Sequence, residues 1–236
     1  MLLAIDTSSG TSVAVVDREG GVLAEVTELD TRRHAEVIGE SIAFCLDSAG
    51  VRPQDLSAVV SGMGPGPFTG LRVGIAAARA FAFGADKPCL PLISHDAVAF
   101  ELTGGFARAT GKRTAAADPD DVGAAGSPLL VVTDARRREV YWSAYTGIDD
   151  RGLPVRLAGP SLVRPADLDE VVVASCGRDF AEAAARTDPA DTAISAGSLG
   201  MLGETLFANG RPFAADVPLY LRSPDVTVPG APKRVS

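Results

Sequence analysis

The chain has 236 residues, 46% of them hydrophobic and 22% charged, with 30 Asp+Glu against 22 Lys+Arg for a formal net charge of -8. That composition excludes a disordered tail protein, a collagen-like repeat and a disulfide-stapled mini-domain, and an acidic chain is poorly suited to hold RNA phosphates by itself. At roughly 100–200 residues per domain, the length fits one large domain or two small lobes.

Leu2 to Ile5 is an apolar run ending on Asp6, and Thr7, Ser8, Ser9 and Gly10 read as a turn. Ser12–Val16 and Val22–Thr27, separated by Arg18-Glu-Gly-Gly21, complete three short strands. From Thr31 to Gly50, the residues Val37, Ile38, Ser41, Ile42, Cys45 and Ala49 recur at helical spacing, with Gly50 as the stop and Pro53 beyond it. Arg32 and Arg33 then fall in the first turn of this helix, where each opposes the macrodipole by roughly 0.3–1 kcal/mol. They read as a solvated surface pair or as a contact for an acidic partner or RNA.

Ala58–Val60 predicts a buried strand feeding a Gly/Pro-rich loop, Gly62 to Gly70, and then a second helix ending at Gly84. Thr69 is the expected N-cap, with Phe68 and Val73 as a hydrophobic staple. The loop fits neither a P-loop nor a G-x-G-x-x-G turn, and Pro65 and Pro67 lack the N–H groups a phosphate cradle uses. A tight strand-to-helix connection is favoured. The second helix is apolar nearly all round, with Leu71, Val73, Gly74, Ile75, Ala77, Ala78 and Phe81 broken only by Arg72 and Arg79. Either the first helix covers it entirely, or another chain packs on its small-residue face.

After Pro91 the pattern returns to a helix near Ser94 to Leu102, followed by a mobile interlobe loop over 106–128 whose Ala/Asp/Gly/Pro-rich part is 109–128. Leu129 to Asp134 then repeats the pattern of Leu2 to Asp6, and Glu139–Tyr145 and Leu153–Ala158 follow as strands. The duplicated three-strand unit predicts an α/β fold of two related lobes, 1–105 and a reduced 129–210. Val171–Ser175 reads as a strand, Asp179–Ala185 and Ser198–Ala208 as helices, and 211–236 as an extended tail.

Candidate chemistry is sparse. Asp6 and Asp134 each end a strand before a turn, where a carboxylate either faces a nucleotide or caps its own turn. His34 and His95 are the only two histidines, no Cys pair has ligand spacing, and no G-x-S-x-G elbow occurs, so no metal site or nucleophile is expected. Cys45, Cys89 and Cys176 read as free thiols in a reducing compartment. No basic n-region precedes Leu2, and the apolar stretch Ile75–Phe83 falls short of the ~18 residues a membrane span needs, so a cytoplasmic protein is expected.

Taken in order, Ala4-Ile-Asp-Thr7, Arg33-His-Ala-Glu36, Gly64-Pro-Gly-Pro-Phe-Thr-Gly-Leu-Arg-Val-Gly74, Asp134-Ala-Arg-Arg137, Glu139-Val-Tyr141 and Pro218-Leu-Tyr-Leu-Arg222 resemble the TsaB (YeaZ) family over nearly the whole chain. The resemblance implies a two-lobed actin-like/Hsp70-like ATPase (ASKHA) fold. It implies a non-catalytic dimerisation subunit of the complex that makes N6-threonylcarbamoyladenosine beside the tRNA anticodon. The partners implied are a TsaD-like catalytic paralogue, or a second copy of this chain, and a TsaE-like ATPase docking on the pair. ATP, threonylcarbamoyl-adenylate and a metal would belong to the complex, with tRNA held mainly by the partner and no cofactor on this chain alone.

The resemblance also supports an interface reading of the first two helices, with His34, Val37, Ile38, Ser41, Ile42, Cys45, Leu71, Gly74, Ile75, Ala77, Ala78 and Phe81 as contacts. The paralogue's metal-binding His-x-x-x-His would align His95 with the first ligand and Ala99 with the second, which leaves one imidazole without its partner. Pro67 replaces the usual Ser of the glycine-rich run, and 109–128 reads as an insertion. The rival from another class is a small ASKHA-type metabolite kinase using Asp6 and Asp134 around ATP. A metal-dependent protease fails on ligand count.

Overall fold

The computed structural model describes residues 1–105 and 127–222, which form two sheets. In the first, Leu2–Asp6 (β1), Thr11–Asp17 (β2) and Gly21–Glu28 (β3) form an antiparallel meander. Ala58–Gly62 (β4) and Cys89–Leu92 (β5) add in parallel beyond β1, giving the order β3-β2-β1-β4-β5. Leu3 lies opposite Val15 and Ile5 opposite Val13 on one face, while Leu2 and Ala4 lie opposite Val16 and Ala14 on the other. Both faces are covered. That is why β1 reads as a continuous apolar run rather than an alternating one.

Helices His34–Ala49 (α1) and Phe68–Gly84 (α2) cover the first face, with Ile38, Ile42, Cys45, Ala78 and Ala82 packed on Leu3, Ile5, Val13 and Val15. The second face carries Ala196–Ala208 (α6), whose Leu199, Met201 and Leu202 join Phe100 of Ser94–Leu102 (α3) over Ala4, Ala14 and Val60.

The second sheet repeats the plan. Leu129–Asp134 (β6), Val140–Ile148 (β7) and Pro154–Val163 (β8) form the meander, and Ala185–Arg186 (β9) pairs in parallel with β6, as β4 does with β1. Among the described residues the order β8-β7-β6-β9 has no counterpart of β5. Leu168–Cys176 (α4) and Arg178–Ala183 (α5) cover its outer face through Leu168, Val172 and Phe180. The inner face, with Leu129, Val131 and Tyr145, meets Val98 and Ala99 of α3 from the first lobe.

Several expectations need correction. Val171–Ser175 belongs to α4 rather than to a strand. The β-branched run Val171-Val-Val173 suggested extended backbone, but Leu168 and Val172 are buried at a spacing of four, one helical face, and Asp169 and Glu170 sit in the first turn. The first helix starts at His34, so Arg33 is its N-cap residue, Arg32 precedes it and neither opposes its first turn. Thr69 is not an N-cap: α2 begins at Phe68 after Pro67, and the Phe68 ring packs on Tyr220 at 4.6 Å instead of stapling to Val73. Helix α6 falls inside the span assigned to the second lobe, yet it packs on the first sheet.

The tail over 211–222 has no helix or strand but is tied down, with Ala214 N–H donating to Pro91 at 3.1 Å and Leu219 N–H to Met63 at 2.8 Å. Most of the expected interlobe loop, 106–126, and the tail beyond 222 lie outside the described residues. Among the described residues no helix is long and apolar enough to cross a membrane.

Candidate partner-binding face and interlobe cleft

The glycine-rich run sets where α2 lies. The Thr7 hydroxyl donates to the Gly70 carbonyl at 2.7 Å, and a Cβ at Gly74 would stand 2.1 Å from that same hydroxyl. A Cβ at Gly66 would meet the Ser8 backbone at 2.8 Å. These glycines bring the helix and its loop onto the β1–β2 turn, an approach that a side chain at either position would block.

Asp6 lies beneath this turn and is 1% exposed. Its carboxylate accepts the Ser8 N–H at 2.7 Å and the Ser94 hydroxyl at 2.5 Å, and Ser94 also accepts the Gly64 N–H at 3.1 Å. Burial raises its pKa above the ordinary carboxylate value, against the lowering effect of the Ser94 and Ser8 hydrogen bonds. Asp6 therefore caps its own turn and bolts it to α3. Ser94 as its partner, 88 residues distant, left no trace in the sequence.

Asp134 stands elsewhere, on the rim of a cleft of about 540 Å³ between the lobes, opposite Ser8, Ser9 and Thr31. Asp6 does not line this cleft. Arg136, Arg137 and Arg138 turn the chain from β6 to β7 with φ of 64°, 53° and 62°, a left-handed region that costs a non-glycine residue roughly 1–2 kcal/mol. Arg136 pairs with Asp134 at 3.3 Å and reaches across to donate to the Thr31 hydroxyl at 3.0 Å. Arg222 pairs with Glu139 on the same rim.

The predicted interface residues are mostly turned inward. His34, Ile38, Ser41, Ile42, Cys45, Leu71, Gly74, Ile75 and Ala78 are buried in their own lobe, and Val37, Ala77 and Phe81 are half-buried. The residues that face solvent differ from these in helical phase. The outward face of α2 carries Ala76, Ala80 and Phe83, at steps of four and three, and α1 exposes Ala43 and Phe44. Phe83 is 89% exposed and Phe44 56%, an unusual position for large apolar rings. Arg72 and Arg79 are exposed and share this face with Ala76 and Phe83, at steps of four, three and four, so the two charges in the helix mark the side that turns away from the sheet. Arg72 stacks on Phe68 at 4.2 Å and Arg79 pairs with Asp216 at 2.6 Å, so both arginines lie along the tail.

Arg32 is held by Asp30, whose pKa it lowers to about 2, and Arg33 pairs with Glu36 and Glu28. His34 bonds the Thr11 hydroxyl at 2.7 Å, and burial lowers its pKa. His95 is fully buried, with Ser143 and Thr133 hydroxyls at 2.8 and 2.9 Å on its two ring nitrogens. Ala99 one turn on packs into apolar surroundings. Among the described residues no three His, Cys, Asp or Glu side chains converge as metal ligands. Cys45, Cys89 and Cys176 are free thiols, and burial pushes Cys45 up to about 11.

Two lobes built on repeated meanders, with a cleft between them and helices on both faces, define an α/β protein of the ASKHA type. The family model described as TsaD, tRNA N6-adenosine threonylcarbamoyltransferase, matches residues 5–175. An uncharacterized protein of Mycobacterium tuberculosis is 34% identical over 226 residues, covering 95% of this chain and 92% of its own. The tRNA threonylcarbamoyladenosine biosynthesis protein TsaB of Escherichia coli is 32% identical over 152 residues, 64% of this chain and 57% of its own. The solved structure of YeaZ from Pseudomonas aeruginosa superposes with a TM-score of 0.67 at 25% identity, covering 93% of this chain and 99% of that one. The chain belongs to the TsaB/YeaZ family.

Proposed function

We propose that this chain is the non-catalytic scaffold and activator subunit of a cytoplasmic complex that transfers a threonylcarbamoyl group to N6 of adenosine beside the tRNA anticodon. Its partner is a TsaD-like catalytic paralogue, with a TsaE-like ATPase docking on the pair and tRNA reached through the complex. The observation that carries the reading is the exposed stripe Ala76, Ala80 and Phe83 on α2 with Phe44 on α1. Small residues let a second helix approach closely, and the rings give it apolar area to cover. Membership of a family whose E. coli relative is named for threonylcarbamoyladenosine biosynthesis supports the substrate.

The metabolite-kinase alternative loses its carboxylate pair. Asp6 is buried and hydrogen-bonded by Ser8 and Ser94, while Asp134 lies on the cleft rim. The test is reconstituted transfer to tRNA with threonylcarbamoyl-adenylate. Adding this chain to the TsaD-like subunit should raise transfer, and the isolated chain should give none. Transfer by this chain alone, or no stimulation of the partner, overturns the reading.

A further inference from the structure

We propose that His95 is a positioning residue that sets the angle between the two lobes, a polar bolt driven from α3 of the first lobe into β6 and β7 of the second. Helix α3 follows β5 and shares the first lobe's core through Ala97 and Phe100. Its other side lies on the inner face of the second sheet. Val131 pairs with Ser143 across β6 and β7, and Thr133 stands two residues along β6 from Val131, on the same face. Val98 and Ala99 cover the apolar part of that face beside Leu129, Val131 and Tyr145. The polar part, Thr133 and Ser143, is met by the two nitrogens of His95 at 2.9 and 2.8 Å.

A neutral imidazole offers one N–H and one lone pair, and a hydroxyl can turn to donate or accept, so either tautomer satisfies both contacts. Burial holds the imidazole at a pKa of about 3, so it stays neutral at any physiological pH. The neighbouring residue repeats the link, since Asp96 accepts the Tyr145 hydroxyl at 2.7 Å and faces Arg156 of β8 at 3.7 Å. Apolar contacts alone allow two surfaces to slide. Two hydrogen bonds from one rigid ring to two strands fix direction as well as distance. The lobes therefore move as one body, and the exposed face of α2 is held in a constant relation to the second sheet.

The test is the interlobe distance distribution, measured by double electron–electron resonance between spin labels attached through keto amino acids at the exposed positions Asp47 on α1 and Glu170 on α4. The full wild-type chain should give one narrow distance. His95→Ala, and independently Thr133→Val with Ser143→Ala, should at least double its width or add a second population, and His95→Gln, whose amide both donates and accepts, should restore the narrow peak. A narrow peak in either disrupted variant overturns the proposal, as does a broad one in His95→Gln. Failure of both disrupted variants to fold also overturns it, because the cluster would then be a folding requirement and not a device that sets an angle.

Discussion

Adding one methyl group at each of two helical glycines should change stability in opposite directions. Gly39 lies in α1 with nothing within 4 Å of a built Cβ, so Gly39→Ala gains helix propensity and should stabilise by about 0.5–1 kcal/mol. At Gly74 the same methyl would lie 2.1 Å from the Thr7 hydroxyl oxygen and 2.9 Å from its methyl. Thr7 is not free to rotate away, because its hydroxyl holds the Gly70 carbonyl at 2.7 Å. Overpacking costs about 1–3 kcal/mol and a displaced hydrogen bond about 0.5–1.5, which outweighs the propensity gain. The net expectation is a loss of about 1–3 kcal/mol, or roughly 2–12 °C in Tm for a chain of this size. Thermal melts followed by circular dichroism read both variants. Thr7→Ala combined with Gly74→Ala should recover the steric part, a coupling of at least about 1 kcal/mol. Stabilisation by Gly74→Ala, or no coupling with Thr7, would refute the account of how α2 is seated.

Other expectations can be checked on the isolated chain. The folded pKa of His95, about 3 against the ordinary 6.5, is depressed, so the unfolded state takes up the proton first and stability falls as pH drops below 6.5. Between pH 7 and 4.5 this should remove about 2–3 kcal/mol from wild type and nothing comparable from His95→Gln in urea titrations; equal losses in both contradict it. Asp6 has the opposite sign, because its raised pKa favours the protonated folded form and stability declines as pH rises from 3.8 through the folded value. Asp6→Asn, with its amide turned to Ser94, should therefore gain on wild type from pH 4 to pH 8 in thermal melts, and a constant difference would exclude this. Cys45, buried and with its pKa pushed up to about 11, should react with a thiol reagent only on unfolding, whereas labelling in the native state would place it on an open surface.

Local signals carried most of the fold. The turn residues between β1, β2 and β3 and the repeat of Leu2–Asp6 in Leu129–Asp134 revealed the meander and its duplicate, and α3 runs over the predicted Ser94–Leu102. Strand β9 is two residues long, too short for any periodicity to register. The phase of α2 was legible from its two charges, since Arg72 and Arg79 lie seven residues apart on the exposed side with Ala76 and Phe83, while Ala77 and Ala78 pack on the core. His95 was harder to read. The family resemblance aligned it with a first metal ligand lacking its i+4 partner, while its hydroxyl partners lie 38 and 48 residues away on the second sheet.

The scaffold reading is tested most directly by the mass of the complex formed with the TsaD-like paralogue, measured by sedimentation of equimolar mixtures. Ala80 is exposed while Ala77 packs against the core, so Ala80→Glu should leave the lobe intact and place a carboxylate only in the proposed contact. Wild type should sediment as a stable heterodimer. Ala80→Glu with Phe83→Ser should weaken it by at least a hundredfold, consistent with about 3–5 kcal/mol for a buried unpaired charge. Undiminished association of this double variant, with its circular dichroism unchanged, would contradict the assignment of that face.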